Sequence, residues 1–157
     1  DYLMKKLVLS IVFFIASMAV QAQELTWDTT FDKAAEISMK TKKPILLFFT
    51  GSDWCGWCIR LQKEVLKTPE FAAWAKDKVV LVEVDFPRRS PQLPETQQQN
   101  NQLQQLFAVQ GFPTIWFTRP STVEGKMNLD KLGSTGYVAG GPSKWIEGAN
   151  QILSVKQ

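Results

Sequence analysis

The chain has 157 residues, 45% of them hydrophobic, which is enough for one globular core of ordinary size and too little for two. Its formal net charge is +3, with Lys5, Lys6 and Asp1 all in an N-terminal segment, so the remainder is close to neutral. That balance gives no electrostatic reason to expect nucleic acid as a partner.

From Met4 the order is Lys5-Lys6, an apolar stretch from Leu7 to Val20, then Val20-Gln21-Ala22 and polar sequence. This is signal-peptide order, with Asp1-Tyr2-Leu3 read as lying ahead of the true start. The apolar run of about 14 residues falls short of the roughly 20 that span a bilayer, and the small residues at its end suit signal peptidase near Ala22. An uncleaved anchor is the alternative. No cysteine follows the run, which argues against lipid attachment. The expectation is a signal peptide over residues 1–22 and one domain over 23–157, periplasmic or secreted, where disulfides persist.

Between Thr30 and Lys40 the residues Phe31, Ala34, Ala35, Ile37 and Met39 mostly recur at helical spacing behind the possible caps Asp28, Thr29 and Thr30, predicting a first helix. Pro44 opens Ile45-Leu46-Leu47-Phe48-Phe49, a continuous apolar run that predicts a strand covered on both faces. Thr50-Gly51-Ser52-Asp53-Trp54 is a turn-rich link into a helix from Cys55 to Leu66, which places Cys55 at a helix N-terminus. Thr68 and Pro69 cap and open a short helix carrying Phe71, Trp74 and Ala75. Val79 to Phe86 reads as a second buried strand, and Pro87 to Pro94 as a loop. Glu95 to Val109 is glutamine-rich, but Leu103, Leu106 and Phe107 give it an apolar side, so a solvated amphipathic helix is expected over a disordered tract. Gly111-Phe112-Pro113-Thr114 leads into a third strand, Ile115 to Thr118, and the glycine-punctuated residues to Tyr137 suggest a less regular hairpin. A last helix follows Gly141-Pro142-Ser143 with Trp145, Ile146, Ala149, Ile152 and Leu153. Alternating helices and strands predict an α/β sandwich with its site at the first strand-to-helix turn.

The chain has two cysteines, Cys55 and Cys58, at C-x-x-C spacing. As a staple the pair would be poor, because the entropy removed from the unfolded chain falls with loop length. Reactivity is the better reason for it. A thiol at a helix N-terminus faces free amide N–H groups and the positive end of the helix dipole, and both favour thiolate. An unperturbed cysteine, with a pKa of about 8.5, is only a few per cent ionised at neutral pH, whereas one near 7 is about half ionised and attacks faster. Cys55 is therefore the candidate attacking thiol, and Cys58, one turn further in and less exposed, the candidate resolving thiol. The chain has no histidine and no third cysteine, which excludes an intrachain zinc site. Ile59 after Cys58 excludes c-type haem attachment. A Cu(I) pair and a purely structural disulfide remain as alternatives.

Lys43-Pro44 with the apolar run behind it, Ser52-Asp53-Trp54-Cys55-Gly56-Trp57-Cys58, Val84-Asp85 and Gly111-Phe112-Pro113-Thr114 together resemble the thioredoxin superfamily, and within it the exported bacterial thioredoxin-like proteins. The resemblance covers nearly all of residues 23–157 in the right order. It implies a thioredoxin-like α/β fold, a central mixed β-sheet flanked by helices on both faces. It also implies a cis Phe112–Pro113 bond beside the cysteines, where the residue before a proline without an N–H can offer its backbone to an extended client strand. Substrate-binding positions are then Trp54, Gly56, Trp57, Phe112 and Pro113, with Trp54 packed against the fold and Trp57 projecting into solvent. The activity implied is thiol–disulfide exchange by a monomer without bound cofactor or metal. Its partners would be exported client proteins with cysteines and a membrane-bound electron donor, and reduction or isomerisation is the favoured direction. A non-catalytic binding module, either a peptide-binding chaperone or a Cu(I) carrier, is the rival class. Two departures stand out. The middle dipeptide is Gly56-Trp57 and not Gly-Pro, so no potential carries over. Thioredoxin's buried Asp on the preceding strand falls in the Phe48-Phe49 region, which leaves Asp53, Glu64, Glu83 or water to move the proton of Cys58.

Overall fold

A computed structural model describes residues 24–155, with Tyr2 and Met4 besides. Apart from those two positions the expected signal peptide lies outside the described residues. The elements in chain order are β1 (Trp27–Asp28), α1 (Phe31–Thr41), β2 (Ile45–Thr50), α2 (Gly56–Leu61) running into a π-helical turn (Gln62–Leu66), α3 (Pro69–Lys78), β3 (Val80–Asp85), α4 (Pro94–Leu106), β4 (Thr114–Val123), β5 (Lys126–Thr135) and α5 (Gly141–Ser154). One five-stranded sheet has the order β1-β3-β2-β4-β5. β1 and β2 run parallel to β3, while β4 is antiparallel to both β2 and β5. The sheet is therefore mixed, as the resemblance implies.

All six residues of β2 are buried, because successive side chains of a central strand point to opposite, covered faces. Ile45, Leu47 and Phe49 join Phe31, Ala34 and Ala35 of α1 and Leu103 of α4 on one side. Leu46 and Phe48 join Cys58 and Leu61 of α2, Phe71 of α3 and Trp145 of α5 on the other. Helices thus cover both faces. The first helix buries Ser38 in place of the expected Ile37, since the spacing from Phe31 through Ala34 and Ala35 reaches position 38 next. The Ser38 hydroxyl is satisfied by donating to the Lys43 carbonyl.

The glutamine-rich stretch is a helix, ending at Leu106 rather than Val109. Leu103 and Phe107 turn inward, whereas Leu106 is exposed. The residues after the third strand depart most from expectation. They form a regular hairpin of two ten-residue strands, with one register shift between Phe117 and Thr118. Gly125 makes its turn and Gly133 sits at the shift, so the glycines punctuate the ladder without interrupting it.

Two loops at one end of the sheet are bonded to each other. The Phe86 amide donates to the Thr50 carbonyl at 2.9 Å, and the Ser52 amide and hydroxyl both donate to the Asp85 carboxylate. The Asp53 carboxylate accepts the amides of Arg88 (3.0 Å), Arg89 (2.8 Å) and Ser90 (2.9 Å) and the Ser90 hydroxyl. These donors favour the ionised form, led by the Arg88 amide, and hold Asp53 at a pKa of about 2 against an ordinary 3.8. A depressed carboxylate pKa gives stability that is fully present above the ordinary value and lost as pH falls through the folded one.

Carboxyl titration by NMR should accordingly place the Asp53 midpoint near 2, with the protection of the amides of residues 88–90, taken relative to intrinsic exchange, falling as the pH falls towards about 2; a midpoint at the ordinary value would show the bonds absent in solution. In the core, Trp145 is 1% exposed, packs against Phe71, Trp74 and Phe117 and donates its indole N–H to the Gly136 carbonyl at 3.1 Å. Trp145→Ala should cost about 3–5 kcal/mol in urea unfolding.

Candidate active site

The link Gly51–Trp54 turns directly from β2 into α2. The amides of Trp54 and Cys55 both donate to the Gly51 carbonyl, at 3.2 and 2.9 Å. A Cβ on Gly51 would lie 2.4 Å from the Trp54 ring, so only glycine lets the indole fold back over the turn. Trp54 is half-buried and fixed on three sides. Its indole N–H donates to the Phe86 carbonyl at 2.8 Å, the Arg88 guanidinium lies 3.5 Å over its ring, and Phe112 meets it edge-on at 5.9 Å.

Cys55 is the N-cap of α2, in extended backbone, and its sulfur accepts the Cys58 amide at 3.2 Å. The two sulfurs are bonded to each other, with Cα atoms 5.2 Å apart. Cys55 is 6% exposed and Cys58 1%, the order expected from the sequence. Gly56 adds no side chain beside them and would meet nothing if it had one.

Antiparallel pairing of β2 with β4 sets Phe49 opposite Thr114, so the start of β4 lies at the sheet end where β2 delivers the cysteines. The Phe112–Pro113 bond there is cis, as the resemblance implies. Phe112 packs against the core cluster that holds Cys55 and Cys58 and contacts Phe86 at 5.2 Å. Gly136, after β5, approaches the same turn so closely that a Cβ would stand 3.1 Å from the Pro113 carbonyl oxygen.

Trp57 is 54% exposed, as expected, but it does not stand free. Its ring lies 5.0 Å from that of Tyr137, and the Arg60 guanidinium sits 5.2 and 5.3 Å from the two ring centroids. One oxygen of Glu64 accepts Arg60 Nε at 3.0 Å, and the other accepts the Tyr137 hydroxyl. The bond from Tyr137, then that from Arg60, lowers the Glu64 pKa; the same bond raises that of Tyr137. Tyr137 is the site neighbour that sequence reasoning missed. It follows the hairpin with no motif around it, and only the β5 register brings it back to α2.

Of the three carboxylates left open by the sequence, Asp53 and Glu64 are committed to the bonds just described. Glu83 differs. It pairs with Phe48 across β2 and β3, and a pocket of about 680 Å3 is lined by Glu83, Lys67, Gln62, Thr50 and Cys58 among others. Burial, then the charge of Asp85, pushes the Glu83 pKa up, and Lys67 opposes this. Among the described residues no group of three or more His, Cys, Asp or Glu side chains is placed to hold a metal ion.

The model of the family described as "Thioredoxin-like domain" matches residues 31–132. The chain is 36% identical to the disulfide bond reductase DsbH of Chlamydia pneumoniae over 87% of its own length and 78% of that protein. It is 34% identical to the thioredoxin-related protein DsbJ of the same organism, but there spans only 27% of the relative. The solved structure of a DsbH oxidoreductase superposes with a TM-score of 0.76 at 36% identity, covering 89% of this chain and 92% of that one. A thioredoxin from Thermus thermophilus, at 16% identity and a TM-score of 0.59 over 83% and 88% of the two chains, shares the fold. With its cysteines bonded where β2 passes into α2, the chain belongs to the thioredoxin-like domain family and is a thiol–disulfide oxidoreductase of that fold.

Proposed function

We propose that this chain reduces or isomerises disulfides of cysteine-bearing proteins outside the cytosol, with Cys55 attacking and Cys58 resolving. The observation that carries the assignment is the Cys58 amide aimed at the Cys55 sulfur at the start of α2. In the dithiol form that N–H stabilises a thiolate on Cys55 and leaves Cys58, buried further in, to follow. The Cys55 thiolate attacks a client disulfide, forming a mixed disulfide and releasing one client thiolate. The Cys58 thiolate then attacks the Cys55 sulfur, releasing the second client thiol and closing the Cys55–Cys58 bond. Two electrons pass to the client, and a dithiol donor must return them to the chain. The relatives' names, a disulfide bond reductase and the protein disulfide-isomerase tigA of Aspergillus niger, support the reducing or isomerising direction.

Export rests on the order of residues 1–22, with cleavage near Ala22 leaving a domain from residue 23. Among the described residues no helix is long and apolar enough to cross a membrane, and a membrane-bound donor is the natural source of electrons for an exported reductase. On the client side, Trp54, Gly56, Trp57, Phe112 and Pro113 form the surface around the pair. The backbone at Phe112 offers main-chain bonds to an extended client segment.

Cys58 must lose a proton before it attacks, and we assign its acceptance to Glu83, which lines the same pocket as Cys58. A carboxylate whose pKa is raised by burial accepts a proton nearer to neutral pH than an ordinary one does. For such a group the sign for stability is reversed. The charged form costs stability above the raised pKa, so neutralising it does not weaken the fold.

Catalysed reduction of insulin by dithiothreitol should occur with the native chain and vanish in Cys55→Ser; a native chain no faster than dithiothreitol alone would rule out the exchange reading. Cys58→Ser should accumulate mixed disulfides with client proteins on non-reducing gels, and the absence of trapped species would reverse or remove the assigned roles. Glu83→Gln should slow resolution of the mixed disulfide by roughly ten- to a hundredfold while leaving urea stability equal or higher; an unaltered rate would assign the proton to solvent.

A further inference from the structure

Trp57, the side chain between the two cysteines, is held from behind. The Tyr137 ring packs against it at a tilt of 51°, Arg60 lies against both rings, and Glu64 joins Arg60 to the Tyr137 hydroxyl. An exposed tryptophan would ordinarily sample several rotamers, and fixing it on binding would cost affinity. Here that cost is met within the fold. The two charges of the bracket are matched to each other, Arg60 to Glu64, so the bracket itself offers a client no unpaired charge. What it presents beside the disulfide is the ring surface of Trp57, more than half exposed.

We infer that Tyr137 is a positioning residue for client choice, fixing Trp57 as an apolar ledge beside Cys55 that favours clients with an aromatic side chain next to the reactive cysteine. The inference rests on the exchange activity and adds to it a substrate preference set from outside the cysteine motif. In this role Tyr137 acts through Trp57. The neighbouring Gly136 runs close to Pro113, where a Cβ would stand 3.1 Å from the carbonyl oxygen, so the ledge lies near the turn where client backbone would bind.

The test uses two disulfide-linked peptides identical except for Phe or Ser beside the cysteine, with kcat and KM measured for each. The native chain should prefer the Phe peptide through a lower KM. Tyr137→Ala should reduce the Phe-to-Ser ratio of kcat/KM by about three- to tenfold, the worth of an aromatic pair, and Trp57→Ala by at least as much. Tyr137→Phe, which keeps the ring and loses only the bond to Glu64, should retain most of the preference. Because the readout is a ratio, a general loss of activity does not imitate the effect. Should the alanine variant fail to fold, Tyr137→Leu, with apolar volume but no ring, carries the same expectation. A native chain that reduces both peptides without preference, or a Tyr137→Ala ratio equal to the native one, overturns the inference. A native chain that reduces neither peptide instead overturns the exchange reading on which it rests.

Discussion

Where β2 ends, the chain leaves a strand buried on both faces and within four residues, Gly51–Trp54, must place a cysteine at the start of a helix. The bonding of that link to the end of β3 makes this possible. Thr50 and Phe86 extend the parallel pairing by one bond, Asp85 holds Ser52, Asp53 holds Arg88 to Ser90, and Trp54 holds the Phe86 carbonyl. Backbone amides that a turn would otherwise leave to solvent become ligands of two carboxylates. The cysteine pair inherits its position from this junction, and so does Phe112, which packs on Trp54 and Phe86 together.

Around the pair two kinds of environment are kept apart. Behind Cys58 lies a pocket with a carboxyl group of raised pKa and a lysine; on the side of Trp57 lie the two rings of the bracket, with Arg60 and Glu64 paired to each other. The arrangement suits a reaction in which one sulfur meets a protein surface and the other must exchange a proton. Glu83 lies across from the buried Phe48 on the neighbouring strand, on the face that α2 covers.

Much of this was legible in the sequence because it depends on local pattern. The run Ile45–Phe49 announces a doubly covered strand, Thr68-Pro69 a helix start, and the cysteine spacing with Gly111-Phe112-Pro113-Thr114 the superfamily. What the sequence did not show depends on pairing across distance. The short β1 carries no pattern of its own and exists only by its alignment with Leu81 and Val82. The hairpin looked irregular because its glycines fall at the turn and the register shift, where they help the ladder. The role of Tyr137 follows from that hairpin's length, which no local rule supplies. Separating Glu83 from Asp53 and Glu64 required knowing which carboxylates were already bonded.

Helix α4 has a consequence of its own. Beyond the apolar packing of Leu103, its side-chain hydrogen bonds to the rest of the fold come from carboxamides: Gln99 joins the Phe31 amide to the Thr29 carbonyl, Asn100 donates to the Asp85 carbonyl, and Gln104 to that of Val109. Side-chain amides do not titrate between acid and alkali, and no counter-ion weakens them as it would a surface ion pair. The platform beneath the reactive loop is thus fastened by groups indifferent to acidity and ionic strength, so the helix should keep its place where the Asp53 carboxylate begins to lose its charge.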